Sequence, residues 1–405
     1  MEHIVLVGGG LASSYAAAQL RSSGFDGRVT MFSDEADRPY DHVPLSKDYL
    51  SGGPGHHELY LRSANFYRDH DIALRLHTQV TGLNPEDRVV ELGTGETVSY
   101  SAVLLATGAA ARKLAVPGAD TLDGVHYLRT LNDAQQLRGA LHSPGRVAII
   151  GAGFLGCEVA ASAAMLGREV TLISRDPVPL LGALGPEMAT VYRDLHLERG
   201  VRILGSVEVA ELQGSERVER VILTNGTTVE TDAVVIAIGA TPRTALADQA
   251  GLEVNDGIVA NASLATSAPG VYAAGDVAAV WSRRTGQHER RRHFDTARTQ
   301  GKAAARSMLG EPVSYDAIPF VFSDQYDVWM EYTGSPTADA ELVVHGDLSS
   351  RRFVAFWLHR ARLQAAMNVG LQGVPRVVRP LIQSGETVTD QGLRDIVAQA
   401  QPVGP

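Results

Sequence analysis

An α/β fold with two dinucleotide-binding domains and a third, α+β domain is predicted by three features of this 405-residue sequence. Gly8-Gly9-Gly10-Leu11-Ala12-Ser13 follows the apolar run Ile4-Val5-Leu6-Val7. Gly151-Ala152-Gly153-Phe154-Leu155-Gly156 follows Val147-Ala148-Ile149-Ile150. From about residue 315 the composition shifts to alternating stretches that suit antiparallel strands. Each glycine segment has the Rossmann-like order of strand, tight turn and helix. Glycine lets the backbone approach a pyrophosphate, and the unpaired N–H groups and positive end of the helix meet its charge. Two such turns imply two bound dinucleotides, for which the usual reason is electron transfer between them.

The first domain begins with a strand over 3–7, a helix over 11–22 and a strand over 29–33. Asp34 and Glu35 close that second strand, where a carboxylate can accept hydrogen bonds from an adenosine ribose. A buried type of strand over 102–106 ends in Thr107-Gly108, and Pro117-Gly118 marks a loop. The second domain repeats the scheme: strand 146–150, helix 154–166, strand 169–173, and a strand over 233–238 before Gly239. The parallel endings suggest a duplication with the second unit inserted in the first. Val271-Tyr272-Ala273-Ala274-Gly275-Asp276 then returns the chain to the first domain. Strands over 341–345 and 352–358, helices over 374–383 and 390–398, and a frayed tail over 401–405 complete the chain. The resulting boundaries are 1–110 and 240–314 for the first domain, 111–239 for the second and 315–405 for the third.

The hydrophobic content of 44% is that of an ordinary globular protein. No run approaches the ~20 apolar residues of a membrane span, and the first residues lack a secretory pattern, so a cytoplasmic protein with no membrane partner is expected. A net charge of −10 argues against nucleic acid. The single cysteine, Cys157, lies inside the second glycine turn and reads as a packing residue. His56-His57 and His288 lack a ligand set, so no metal is expected. Arg283, Arg284, Arg290, Arg291, Arg292, Arg298, Lys302 and Arg306 concentrate positive charge locally. They read either as a solvated hairpin and amphipathic helix or as a dock for an acidic protein.

Taken together the motifs resemble the FAD-dependent NAD(P)H ferredoxin reductases of the putidaredoxin reductase and oxygenase-coupled type, within the glutathione reductase superfamily. The markers are Tyr40-Asp41-His42-Val43-Pro44-Leu45-Ser46-Lys47, Leu128-Arg129-Thr130-Leu131, Gly275-Asp276, Gln300-Gly301 and Phe322-Ser323-Asp324-Gln325-Tyr326, and the likeness spans nearly the whole chain. The resemblance implies FAD in the first domain. Its pyrophosphate would lie at Gly8, Gly10, Ala12 and Ser13, its ribose at Asp34 and its adenine against the backbone of Val80. Lys47 and Arg129 would lie near the flavin, Asp276 would hold the ribityl chain, and the backbone of Phe294 would approach the pyrimidine side at a helix start. It implies NADPH or NADH in the second domain at Gly151, Gly153, Gly156 and Gly239, with Glu158 facing the nicotinamide. Lys47 and Glu158 are thus the candidate catalytic pair. Ser174 and Arg175 stand where NADH enzymes usually carry an acid; a hydroxyl and a guanidinium suit a 2′-phosphate, which favours NADPH although Asp176 is adjacent.

The implied activity is electron transfer from NAD(P)H through FAD to a small [2Fe-2S] or related acidic ferredoxin serving a cytochrome P450 or another oxygenase. Disulfide reductases need a cysteine pair beside the flavin, which this chain lacks. The alternative is a slowly turning redox sensor resembling apoptosis-inducing factor. The chain departs from the family pattern at Ser13, His42, Val43, Thr296, Phe320 and Phe322, so flavin packing and partner choice are expected to be atypical.

Overall fold

The apolar runs flanking the first glycine turn form the middle of a five-stranded parallel sheet, in the order Val271–Ala273, Ala102–Leu105, His3–Val7, Arg28–Phe32 and Ile72–Arg75. The three inner strands, buried on both faces, read as near-continuous apolar stretches rather than alternating ones, as parallel strands do. The computed structural model describes residues 2–402 and divides into two units. The first comprises the residues up to Asp41, His56–Ala110 and Thr241–Pro319; the second comprises His42–Gly55, Ala111–Ala240 and the residues from Phe320 on.

A second parallel sheet repeats the plan in the second unit: Val125–Tyr127, Ala233–Ile236, Arg146–Ile150, Glu169–Ile173 and Arg202–Leu204. In both sheets the strand before the glycine turn is central, and each sheet is followed by a three-stranded antiparallel meander, at 80–99 and 209–230. Those meander strands escape sequence reading because each is three to five residues long and only partly buried.

His42–Gly55 groups with the second unit. Ser162 donates to the carbonyl of Ser46 at 2.9 Å, and His142 contacts the carbonyl of Leu50 at 3.1 Å. The C-terminal residues form an antiparallel sheet in the order Phe320–Gln325, Val328–Gly334, Arg362–Val369, Arg352–His359 and Glu341–Asp347. Helices Val374–Ser384 and Asp390–Gln399 cover one face, burying Val374, Val378, Leu393 and Ile396 on Val354 and Phe356. The expected frayed tail is corrected at its start: Gln401 and Pro402 pair with Gln372 and Leu371, while 403–405 lie outside the described residues. No helix among the described residues is long and apolar enough to cross a membrane.

Candidate functional site

The first glycine turn is shaped by backbone approach. Gly8 has φ +118°, and a Cβ there would lie 2.2 Å from the carbonyl oxygen of Ala106, so no other residue fits without a shift. Gly10 caps the Leu11–Ser22 helix without any side-chain cap, and a Cβ on it would meet nothing within 4 Å. Beside it Ala12 is buried, and the Ser13 hydroxyl, fully buried, has no partner among the described residues. An open backbone cradle with an orphaned hydroxyl fits a phosphate group, so these residues suit FAD.

Other expected FAD residues sit in the same unit. Asp34 follows the Arg28–Phe32 strand, half-exposed, and accepts from Arg243 at 3.2 Å. Sequence reading missed that partner. Val80 opens a strand just after Thr78, whose N–H bonds the carbonyl of Ser33 at 2.7 Å. Asp276 occupies the short Gly275–Val277 turn, which is fixed by the Gly275 N–H donating to buried Gln300 at 2.8 Å. Phe294 is the first residue of the Phe294–Met308 helix, its ring edge-on to Tyr15. That helix runs against Leu11–Ser22 because Gly301 would place a Cβ only 2.3 Å from the carbonyl oxygen of Ala12.

The second turn has the same construction. Gly151 has φ +105° and faces the carbonyl oxygen of Ala237 at 2.4 Å from an added Cβ. Gly153 caps the Phe154–Met165 helix with open space before it, and a Cβ on Gly156 would strike the carbonyl oxygen of Gly151 at 1.9 Å. Gly239 also adopts a left-handed backbone, at φ +105°. Ser174 is buried and its hydroxyl accepts from the N–H of Asp176 at 3.1 Å. Arg175 is 79% exposed and 4.0 Å from Glu208. Its guanidinium is free to reach a ligand, but an acid that sequence reading did not consider competes for it.

Lys47, buried Glu158 and partly exposed Asp324 form a charge cluster in the second unit. Lys47 Nζ is 3.5 Å from Glu158 Oε1 and 3.3 Å from Asp324 Oδ2, and it lies over the Phe322 ring at 4.9 Å. Ser46 donates to Glu158 Oε2 at 2.5 Å, and Ser323 to Oε1 at 2.7 Å. Glu158 and Ser162, one helical turn apart, thus hold the side chain and the carbonyl of Ser46 together. Burial pushes the Glu158 carboxyl up, opposed by Lys47 and the two hydroxyls, and burial likewise raises Asp324 against the pull of Lys47. Ser46, Ser323 and Asp324 lie inside the Pro44-Leu45-Ser46-Lys47 and Phe322-Ser323-Asp324-Gln325-Tyr326 segments, which was the one available signal for them. Arg129 donates its N–H to Asp133 at 3.0 Å, beside the Thr130 cap of the Leu131–His142 helix. Cys157 is buried with its thiol raised by burial and by Glu158.

The arginine stretch divides in the structure. Arg290 is only 7% exposed and pairs with Asp256 at 2.9 Å. Arg291 pairs with Glu289, Arg298 with Asp295 and Arg306 with Glu311. Arg283 and Lys302 are exposed on the same unit.

Two matched glycine cradles on sister sheets, followed by an antiparallel domain, define a pyridine nucleotide-dependent oxidoreductase. The chain belongs to the pyridine nucleotide-disulphide oxidoreductase family, whose model matches residues 2–301, and a reductase C-terminal model matches 320–401. It is 36% identical over 364 residues, 89% of this chain and 88% of the relative, to the 5,5'-dehydrodivanillate O-demethylase ferredoxin reductase subunit of Sphingobium sp.. It is 32% identical to the benzene 1,2-dioxygenase system ferredoxin–NAD(+) reductase subunit of Pseudomonas putida, over 97% of this chain and 95% of the relative. Among solved structures, the covalent putidaredoxin reductase–putidaredoxin complex matches with TM-score 0.93 and 32% identity over 98% of each chain.

Proposed function

We propose that this chain is an FAD-dependent NAD(P)H:ferredoxin oxidoreductase, which passes electrons to an iron–sulfur ferredoxin serving a cytochrome P450 or another oxygenase. One observation carries the reading: two cradles of the same construction occur in a chain whose single cysteine is buried. Two dinucleotides without a dithiol leave an external carrier as the electron acceptor. Bound FAD accepts two electrons together and releases them singly. The chain supplies the rest. Its open helix starts at Gly10 and Gly153 receive pyrophosphates, Asp276 orients the ribityl chain, and Lys47 and Glu158 hold opposite charges at the hydride-transfer end. Steady-state reduction of cytochrome c should depend on added ferredoxin; a rate indifferent to ferredoxin contradicts the assignment.

The site roles yield separate expectations. Asp276→Ala should weaken FAD retention by about 1.5–3 kcal/mol, the worth of a hydrogen bond to a charged group, read by titrating apoprotein with FAD. NADPH is the favoured donor because Ser174 replaces a repelling acid and Arg175 is exposed, although the benzene dioxygenase relative's name specifies NAD(+). Replacing Ser174 with Glu and Arg175 with Ala should raise the NADH to NADPH ratio of kcat/KM about tenfold for each ~1.4 kcal/mol shifted. A wild-type enzyme that strongly prefers NADH ends this part.

The ferredoxin is an acidic [2Fe-2S] protein, and the protein works in the cytoplasm, where NAD(P)H is supplied. Its dock is the exposed part of the arginine stretch, around Arg283 and Lys302, rather than buried Arg290. Arg283→Glu with Lys302→Glu should raise the KM for ferredoxin several-fold and flatten its salt dependence, since steering is screened over about 10 Å at 0.1 M salt. An unchanged salt response would return this stretch to plain solvated surface.

A further inference from the structure

The Phe320–Gln325 strand buries polar side chains. Ser323 and Gln325 are each 1% exposed, and alternate residues of a strand share a face. Fully buried His196, on the Leu181–Glu198 helix, contacts the same stretch. The contacts are continuous: Tyr326 Oη to His196 Nδ1 at 2.9 Å, His196 Nε2 to Gln325 Oε1 at 3.0 Å, Gln325 Nε2 to Ser323 Oγ at 3.3 Å, and Ser323 Oγ to Glu158 Oε1 at 2.7 Å.

One end fixes the direction of every bond. With Glu158 ionised beside the Lys47 ammonium at 3.5 Å, the carboxylate only accepts, so Ser323 must spend its single proton on Glu158 and can only accept from the amide N–H of Gln325. That turns the Gln325 carbonyl toward His196, which must donate from Nε2, leaving Nδ1 to accept from the Tyr326 hydroxyl. Burial pushes His196 down to about 4, so the ring is neutral and has the one donor and one acceptor that the arrangement needs. The far end is also held. Tyr326 has φ +59°, a backbone region non-glycine residues rarely adopt, in the two-residue turn between paired Gln325 and Val328. Its ring lies 5.2 Å from the Arg199 guanidinium, and Arg199 pairs with Asp327 at 2.5 Å.

We propose that Tyr326, His196, Gln325 and Ser323 form a one-directional hydrogen-bond chain that positions the Glu158 carboxylate and favours its ionised form, making His196 a positioning residue for the nicotinamide site. Aligned hydrogen bonds polarise one another in a low-dielectric interior, and burial alone would favour the neutral acid. The other groups around Glu158 are Lys47 from the loop before Asp48–Ser51, Asp324 from the strand, which shares Lys47 with it, Cys157 on its own helix and Tyr192 from Leu181–Glu198. Asp48 acts on Asp324, and Arg351 on Tyr192. Cys157 and Tyr192 are held above their usual values and stay neutral, so Lys47 and Asp324 are the nearby groups that can carry charge, and the variants below leave both in place.

The functional consequence rests on Glu158 facing the nicotinamide, so the test has one arm that needs no turnover. In ¹⁵N-histidine NMR of the oxidised holoprotein, with the His196 signal identified by its loss in His196→Gln, wild type should show the Nε2–H tautomer and Ser323→Ala a mixture. In anaerobic flavin reduction by NADPH and NADH, Ser323→Ala should move the acid limb of the rate profile up by about one pH unit, a tenfold change in proton affinity. Gln325→Leu should give a smaller shift of the same sign, and Ser323→Thr should restore the wild-type profile. If Ser323→Ala does not retain FAD, Gln325→Leu carries both readouts. An Nδ1–H tautomer in wild type, or profiles of FAD-loaded variants superimposable on wild type, overturns the chain. A normal tautomer in a protein that does not reduce ferredoxin would instead overturn the functional assignment.

Discussion

Lys47→Met should destabilise the protein by about 3 kcal/mol, because it strands the buried Glu158 carboxyl; Asp324, 38% exposed, is screened by solvent and adds little. Glu158 and Asp324 both lie within hydrogen-bonding or near-contact range of the ammonium, whose side chain is only 10% exposed. The pH dependence has a definite sign. Burial places both folded-state carboxyls above their unfolded values, so the native state binds more protons in that window and stability falls as pH rises through it. Lys47 limits the rise in the wild type; without it both folded values climb further and the window widens. The melting-temperature deficit of Lys47→Met should therefore be smallest below about pH 3, where both acids are protonated in the unfolded chain as well as the folded one, and should grow as pH rises toward about 8. Melting curves that run parallel across that range would refute the cluster's electrostatic role.

Gly156→Val should lower flavin reduction by NADPH and NADH about 10- to 100-fold while FAD stays bound. The first branch atom would lie 1.9 Å from the carbonyl oxygen of Gly151, which is backbone and cannot rotate away. Relieving that overlap costs about 1–3 kcal/mol and pushes the Phe154–Met165 helix off the strand, opening the cradle that must receive the pyrophosphate. Each 1.36 kcal/mol lost at the transition state is tenfold in rate. Gly153→Ala is the informative control, since its Cβ meets no protein atom within 4 Å and any loss reports close approach of the cofactor. Equal, small effects of both substitutions would contradict the close-packing argument.

The legible parts of this chain were those with a local cause. Parallel strands buried on both faces leave unbroken apolar runs, and glycine turns leave residues no other side chain can replace, so both cradles and the strands beside them were visible in the sequence. The meanders at 80–99 and 209–230 were not, because short strands with intermittent burial carry little periodicity. The arginine stretch was legible only as charge. Charge counted along a chain does not show which guanidinium has folded onto an acid, and Arg290 meets Asp256 across thirty-odd residues. The contacts of Ser46, Ser323 and His196 were not legible, although two of them lie inside marked segments, because the partners are distant in sequence: Ser323 reaches Glu158 from 165 residues away.

Electrons leave NAD(P)H, pass through a flavin on this chain and exit singly to an iron–sulfur protein. Anaerobic stopped-flow mixing of the holoprotein with NADPH or NADH, followed by a second mix with oxidised ferredoxin, follows both steps in one experiment. One noncovalent FAD per chain should bleach rapidly, and that flavin should then reoxidise in step with reduction of two one-electron ferredoxin equivalents. A flavin that bleaches but stays reduced in the presence of every ferredoxin offered, or a protein that binds no FAD, would rule out this electron path.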